Sequence, residues 1–453
     1  MLSNQIQTPP HEVPLLPGVP LLGSIPDVLR NSEQFFRKAL NTGHPMVRIR
    51  LGPVTGYIVN DPQYFRMALQ DKWRNYIKGG GVWDTLRQML GNGVTVSEGE
   101  YWLRQRRLLQ PAFHRKHYAS IADLALYDIE LTAQRWQAAA ASGETMELLQ
   151  EMHEMMLRVT VRTMFSQGMS SEEAVEFGHR FVGAVKYLEP RSYLFFVPKS
   201  FPFPGKADFE GTMALMDRII YRIIGERRAN GSDAQDLLAL LLDATDEDTG
   251  EKMTDVQLRD EVIGIFLAGH ESSSTVLMWL FTLLNDHPEV EARMIEELNR
   301  VLGGRAPTMA DFANLPYTRM VVDEALRMYP IVWMVTRTAV EADKLGDYAI
   351  PKGALLFFSY YHTMRHPKYW DNPDKFDPER FANGSPGPHY LPFGTGPHLC
   401  MGQHLAVMEI MLVAATLVPR FRVRVQPLEG ELVPRPRVSL RPNQSVPFKV
   451  ELR

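Results

Sequence analysis

The sequence predicts a mainly α-helical chain with small β-sheets toward both ends, an α+β fold. Three observations carry this. Apolar residues recur at helical spacing through most of residues 101–327. The period changes to two around 334–360, in "MVTRTAVEADKLGDYAIPKGALLFFSYY", and again in the C-terminal tail. No Pro/Gly/Ser-rich linker, internal repeat or low-complexity block interrupts the 453 residues, so 1–453 is read as one domain.

In chain order, residues 1–45 open with "MLSNQIQTPPHEVPLLPGVPLLGSIPDVLR", rich in Pro and Gly, which reads as an extended surface segment. It has no basic run followed by an apolar core, so no signal peptide is expected. "MVRIRLGPVTGYIVND" (46–61) alternates on both sides of a Gly-Pro turn and predicts a hairpin. "IADLALYDIELTAQRW" and "MELLQEMHEMMLRVTVRTMF" carry apolar stripes of helical period. "LEPRSYLFFVPKSFPFPGK" (188–206) breaks two helices. Residues 254–285 form a long central helix that Thr254 or Asp255 is placed to cap. A helix over 316–329 precedes the alternating region. A long irregular stretch, 364–399, follows, and such loops are usually functional. It runs through 391–402 into a last helix, 401–418, and a tail of strands.

Bulk composition narrows the function. The apolar content is 45%, ample for a large core, and the net charge of −4 gives no basic field for nucleic acid. A single cysteine excludes an internal disulfide framework and multi-cysteine zinc or iron–sulfur sites, and fits a reducing, cytoplasmic setting. No run of about 18 apolar residues predicts a membrane span; "LAVMEIMLVAATLV" is too short and carries Glu409.

Four stretches carry chemistry. The central helix is apolar almost all round, so it is expected to be buried, yet its middle holds Gly264, Gly269 and Glu271-Ser272-Ser273-Ser274-Thr275. An acid and four hydroxyls in a buried helix are costly unless partnered; the plain alternative is a helix contact made by small residues. Glu324 and Arg327 are three apart on a helix and can pair, as many surface pairs do. Between Trp102 and His117 lie five cations, Arg104, Arg106, Arg107, Arg115 and Lys116, and no acid. They make either a solvated basic face or a docking patch for an acidic partner. Cys400 sits in "LPFGTGPHLCMGQH". A lone buried thiol is usually inert packing. Here Gly394, Gly396 and Gly402 permit close backbone approach, Phe393 can shield one side, and the helix that follows favours a thiolate. A thiolate so held suits a soft ligand to iron.

Taken together these residues resemble the cytochrome P-450 monooxygenases. "FGTGPHLCMG" matches that family's F-x-x-G-x-[RH]-x-C-x-G, "AGHES" its [AG]-G-x-[DE]-[TS], "EALR" its E-x-x-R, "PERF" its meander motif and "WLRQR" its W-x-x-x-R. They occur in family order and span nearly the whole chain. The resemblance implies a triangular-prism-like fold around haem b, with Cys400 as the thiolate axial ligand and O2 as co-substrate. It places Trp102, Arg106, Arg337 and His398 at the haem propionates, and Phe393 and Gly402 around the thiolate. Ala268 and Gly269 would leave room for dioxygen. Glu271 and Ser272 resemble the acid–alcohol pair that relays protons, with Ser272 where threonine is usual, so more uncoupling is expected. Glu324, Arg327 and Arg380 resemble the buried network that braces the cysteine loop.

By the same resemblance, Val82, Trp83, Leu86, Ile265, Ala268, Val332, Trp333, Met334, Val438 and Ser439 face a pocket for a lipophilic molecule: a fatty acid, terpene, steroid or polyketide. The implied reaction inserts one oxygen atom from O2 into a C–H or C=C bond. No flavin or iron–sulfur domain is seen, so a separate ferredoxin or flavodoxin and its NAD(P)H reductase are implied, docking on the basic run. A monomer without a membrane anchor is expected. Two alternatives remain open at this point. A peroxide-using relative would lack the acid–alcohol pair, and a haem-based sensor would need neither relay nor docking patch.

Overall fold

The computed structural model describes residues 12–166, 168–193, 203–231 and 236–453. Residues 1–11 of the proline-rich segment and 194–202 of the predicted break, the expected entrance lid, lie outside the described residues.

The N-terminal part builds a sheet. The expected extended segment instead turns helical from Ile25, as α1 (Ile25–Leu40), which buries Phe35, Phe36 and Ala39; the predicted hairpin then forms from β1 (Met46–Leu51) and β2 (Val54–Val59), antiparallel with Leu51 opposite Val54. Gly52 turns the corner at φ +60°, a conformation that costs glycine no Cβ clash. Then come α2 (Pro62–Arg66), β3 (Tyr76–Ile77), α3 (Gly81–Leu90) and α4 (Gly99–Leu109).

The helical body follows as α5 (Tyr118–Ser142), a short β4 (Met146–Glu147), α6 (Leu148–Phe165), α7 (Ser171–Tyr193), α8 (Lys206–Asn230) and α9 (Leu237–Asp243). It continues with the central α10 (Asp255–Asp286), α11 (Pro288–Leu302) and α12 (Pro316–Met328). Thr254 starts α10 with a reciprocal cap. Its Oγ1 accepts the Gln257 N–H at 3.3 Å, and Gln257 Oε1 accepts the Thr254 N–H at 2.9 Å. From Ser273 to Leu284 every α10 residue is buried, as an apolar circumference requires. The hydroxyls inside it are partly satisfied by their own helix. Ser274 donates to the His270 carbonyl at 2.7 Å and Thr275 to the Glu271 carbonyl at 2.9 Å. Helices α5, α6, α12 and α14 pack with α10 into one large core.

The alternating region becomes β5 (Met334–Ala339), β6 (Asp343–Leu345), β7 (Tyr348–Ile350), β8 (Leu355–Ser359) and α13 (Tyr360–Thr363). Strands β5 and β8 return to the N-terminal hairpin in a sheet ordered β1-β2-β8-β5-β3, with β2 parallel to β8 and the other pairs antiparallel. Residues 364–402 form no strand and only short turns. Helix α14 (Gln403–Leu417) leads to β9 (Phe421–Val425), β10 (Pro434–Pro436), β11 (Leu440–Pro442) and β12 (Pro447–Leu452). Strand β12 lies between β4 and β9, and β10 pairs with β11 as a hairpin. Among the described residues no helix is long and apolar enough to cross a membrane.

Candidate functional site

The loop before α14 is shaped by its glycines. Gly396 has φ +74°, and a Cβ there would stand 2.0 Å from the Leu69 carbonyl oxygen, so only glycine fits. The turn closes with the Leu399 N–H on the Gly396 carbonyl at 2.9 Å and the Cys400 N–H on the Phe393 carbonyl at 3.1 Å. Arg106 of α4 ties to the loop by donating to the Leu399 carbonyl at 3.0 Å. Cys400 presents surface, yet burial pushes its thiol pKa up, against the Gly402 N–H and the Arg106 charge, which both favour the thiolate. The thiol thus keeps open surface although protein atoms crowd around it.

A second open patch lies mid-way along α10. Ile265, Gly269 and Ser272 are half-buried and Ala268 is exposed, between turns that are otherwise buried. At 100° per residue these four share one sector about 100° wide. Leu86, Phe113 and Phe393 are likewise only partly buried against the core.

Beside the loop is a cluster of buried cations. Arg337 on β5 is 5% exposed; its Nη1 donates to the Thr336 carbonyl at 2.8 Å and its Nε has no partner. Lys78 is 4% exposed, its Nζ bonded to the Val94 and Thr95 carbonyls at 3.0 and 3.1 Å. Burial pushes Lys78 down to about 7, with Glu98 opposing and Arg337 and Arg87 adding to the fall. The His398 ring sits 4.0 Å from the Trp102 ring, centroid to centroid, with both nitrogens unpartnered. Its Nε2 stands 3.5 Å from Glu98 Oε2 without forming a hydrogen bond, and burial pushes His398 down to about 4. The buried guanidinium of Arg337 and the unpartnered nitrogens of Arg337 and His398 are unfavourable unless an anion completes them. A group bearing two carboxylates fits this donor set.

Glu324 and Arg327 are both fully buried. Arg327 forks onto Glu324 at 2.6 and 2.9 Å and donates to the Met364 and Lys375 carbonyls. Glu324 also accepts the Asp377 N–H at 2.9 Å and Arg380 Nε at 3.3 Å. These bonds hold the 364–380 stretch. The cysteine loop is reached one step later, where the Leu391 N–H points at Met364 Sδ.

The acid and the alcohol of the central helix do not meet. Ser272 Oγ turns back onto the Ala268 carbonyl. The Glu271 carboxylate, 7% exposed, accepts from Arg441 at 2.7 and 2.8 Å and from Ser439 Oγ at 2.6 Å. Burial alone would raise its pKa, but Arg441 holds it below the usual carboxylate range.

Three expectations are corrected. Ser439 does not face a pocket; it is buried under Glu271. Trp333 is 4% exposed, packs edge-on against Phe36 and donates to the Arg437 carbonyl at 2.8 Å, away from the cation cluster. Its neighbours differ from it: Val332 is 48% exposed and Met334, the first residue of β5, is half-buried. Arg104 and Arg107 do not form a bare basic face, since both are paired within the chain at its surface. The 246–251 loop occupies them, through Glu251 at 2.8 Å, and Asp246 and Asp248 at 3.2 and 2.8 Å. Arg115 and Lys116 remain exposed and without an ion pair among the described residues. Val82, Trp83, Leu86 and Val438 are half-buried, and Trp83 Nε1 donates to the Thr336 carbonyl at 3.1 Å. Lys78, Glu98, His153 and Arg441 were not singled out from sequence.

A family model described as Cytochrome P450 matches residues 13–450. The cyclooctat-9-en-7-ol 5-monooxygenase of Streptomyces melanosporofaciens is 36% identical, over 91% of this chain and 89% of that protein. The pentalenene oxygenase of Streptomyces avermitilis is 32% identical, over 91% of each chain. Among solved structures, the cytochrome P450DA heme domain superposes with a TM-score of 0.87 at 25% identity, covering 98% of this chain and 99% of that one.

Proposed function

The chain belongs to the cytochrome P450 family and is a monooxygenase; on that premise we propose that it binds haem b through the Cys400 thiolate and oxidises a terpene-like molecule. The observation that carries the cofactor reading is the accessible, desolvated thiol beside buried cations with orphaned donors. Arg337, His398, Lys78, Arg106 and Trp102 would hold the two propionates, and the glycine-shaped loop would hold the sulfur. Bound there, haem would supply the redox chemistry that splits O2, one oxygen atom going to a C–H or C=C bond and the other leaving as water.

The chain's own residues do the rest. Val82, Leu86, Ile265, Val332, Met334 and Val438 offer apolar wall to a hydrocarbon. Ala268 and Gly269 carry too little side chain to crowd the space in front of α10. Ser272 Oγ is the hydroxyl on that open sector, and Glu271 is the acid one residue earlier; a turn of Glu271 or an intervening water joins them. The terpene reading draws on the two Streptomyces relatives. Electrons would come from a separate ferredoxin or flavodoxin with its NAD(P)H reductase. Its docking face would include Arg115 and Lys116: Arg115 and Cys400 both act on Tyr118, so Arg115 lies on the thiolate side.

The test is turnover with a ferredoxin, its reductase and NADPH under 18O2, offering cyclic terpenes and terpene alcohols against fatty acids. A terpene product carrying one 18O atom is expected. Labelled fatty-acid product with no terpene product would overturn the substrate reading.

A further inference from the structure

His153 on α6 takes no part in the reading above, yet it faces the acid that reading depends on. Its Nε2 is 3.9 Å from Glu271 Oε2. Glu271 Oε1 accepts from both Arg441 and Ser439, whereas Oε2 accepts only from Arg441 Nη2, so Oε2 keeps acceptor capacity. The His153 side chain retains 16% exposure. Its backbone is pinned to α10, where His270 donates from Nε2 to the His153 carbonyl at 3.1 Å, with the two rings edge to face at 5.0 Å. The charged and titratable groups acting on it are Glu271 and His270 of α10 and Arg441 of β11. Burial pushes the imidazole down to about 4, so near neutral pH it carries one donor and one acceptor nitrogen.

We propose that His153 passes protons from solvent to Glu271, resting on the reading of Glu271 as the acid that serves oxygen activation. A proton drawn from bulk solvent binds Nδ1, and the Nε2 proton crosses the 3.9 Å to Glu271 Oε2 through one bridging water, which takes up that proton as it gives up its own. The imidazole is left neutral in its other tautomer, and a ring flip or exchange with water restores the first. One proton enters and one leaves. His153 is a positioning residue here, acting through Glu271 rather than on substrate.

The test uses the haem-loaded protein and His153→Gln, which keeps the carbonyl bonded to His270 and removes the titrating ring. The fraction of electrons recovered in product is expected to fall about tenfold, less than the ~10²-fold typical of a group touching the reacting atoms. The solvent deuterium isotope effect should rise, with the reduced, carbon monoxide-bound spectrum unchanged. Independently of turnover, 15N shifts in the ferrous carbon monoxide form should show His153 as the Nε2–H tautomer, with that ratio altered in Glu271→Gln. Wild-type coupling and isotope effect in His153→Gln, or shifts that ignore Glu271→Gln, would overturn the relay. Absence of any 18O product from the wild-type protein would instead sink the monooxygenase reading of the site.

Discussion

Glu271 and Arg441 meet in a two-point ion pair, 170 residues apart in sequence, with bonds of 2.7 and 2.8 Å. The pair turns the central-helix acid away from Ser272 and toward the C-terminal hairpin, and Ser439 completes it. The acid is thus held as a paired carboxylate, below the usual carboxylate range.

Breaking that pair strands a buried charge. Arg441→Ala should lower stability by ~3–5 kcal/mol, and adding Glu271→Gln should return part of the loss. Denaturant unfolding of the two variants checks this; equal stability of Arg441→Ala and wild type would show that the pair is dispensable.

Ser272 carries the hydroxyl of the open sector of α10. Ser272→Ala should cut electron coupling to product by about tenfold and release more peroxide. Ser272→Thr should raise coupling, because the β-methyl narrows χ1. Product per NADPH measures both, and unchanged coupling in Ser272→Ala would remove the residue from proton delivery.

The internal pairing of Arg104 and Arg107 moves the docking prediction along the chain. Arg115→Glu with Lys116→Glu should slow first-electron transfer roughly tenfold at low salt and flatten its salt dependence. Stopped-flow reduction at several ionic strengths reads this out; wild-type rates throughout would place the partner elsewhere.

Glu409 of α14 is buried, and burial pushes its pKa from 4.5 to about 8, with Ser273 opposing. Between those values the folded chain binds a proton that the unfolded chain has released. Stability therefore falls as pH rises through that window, by up to ~1.4 kcal/mol per pH unit. Glu409→Gln should remove this slope, leaving the variant more stable than wild type at pH 8 and nearly equal near pH 4.5. Thermal melts at both ends test the sign.

Local features of the site were legible in the sequence. The glycines, Phe393, His398 and Cys400 lie within ten consecutive residues, and Glu324 and Arg327 are one helical turn apart. What escaped was long-range. Nothing near Arg441 points to Glu271, and nothing near Arg107 points to Asp246, 139 residues away. Lys78 gains meaning only when β5 brings Arg337 beside it. Trp333 lies just before β5, where no strand period assigns a face, and only its long-range packing on Phe36 places it.

The central claim is that Cys400 is the protein ligand to a haem iron. The visible spectrum of the reduced, carbon monoxide-bound protein tests it most directly. A red-shifted, thiolate-type Soret band in the wild type that disappears in Cys400→His is predicted. A wild type without that band, or a Cys400→His variant that keeps it, would contradict the account.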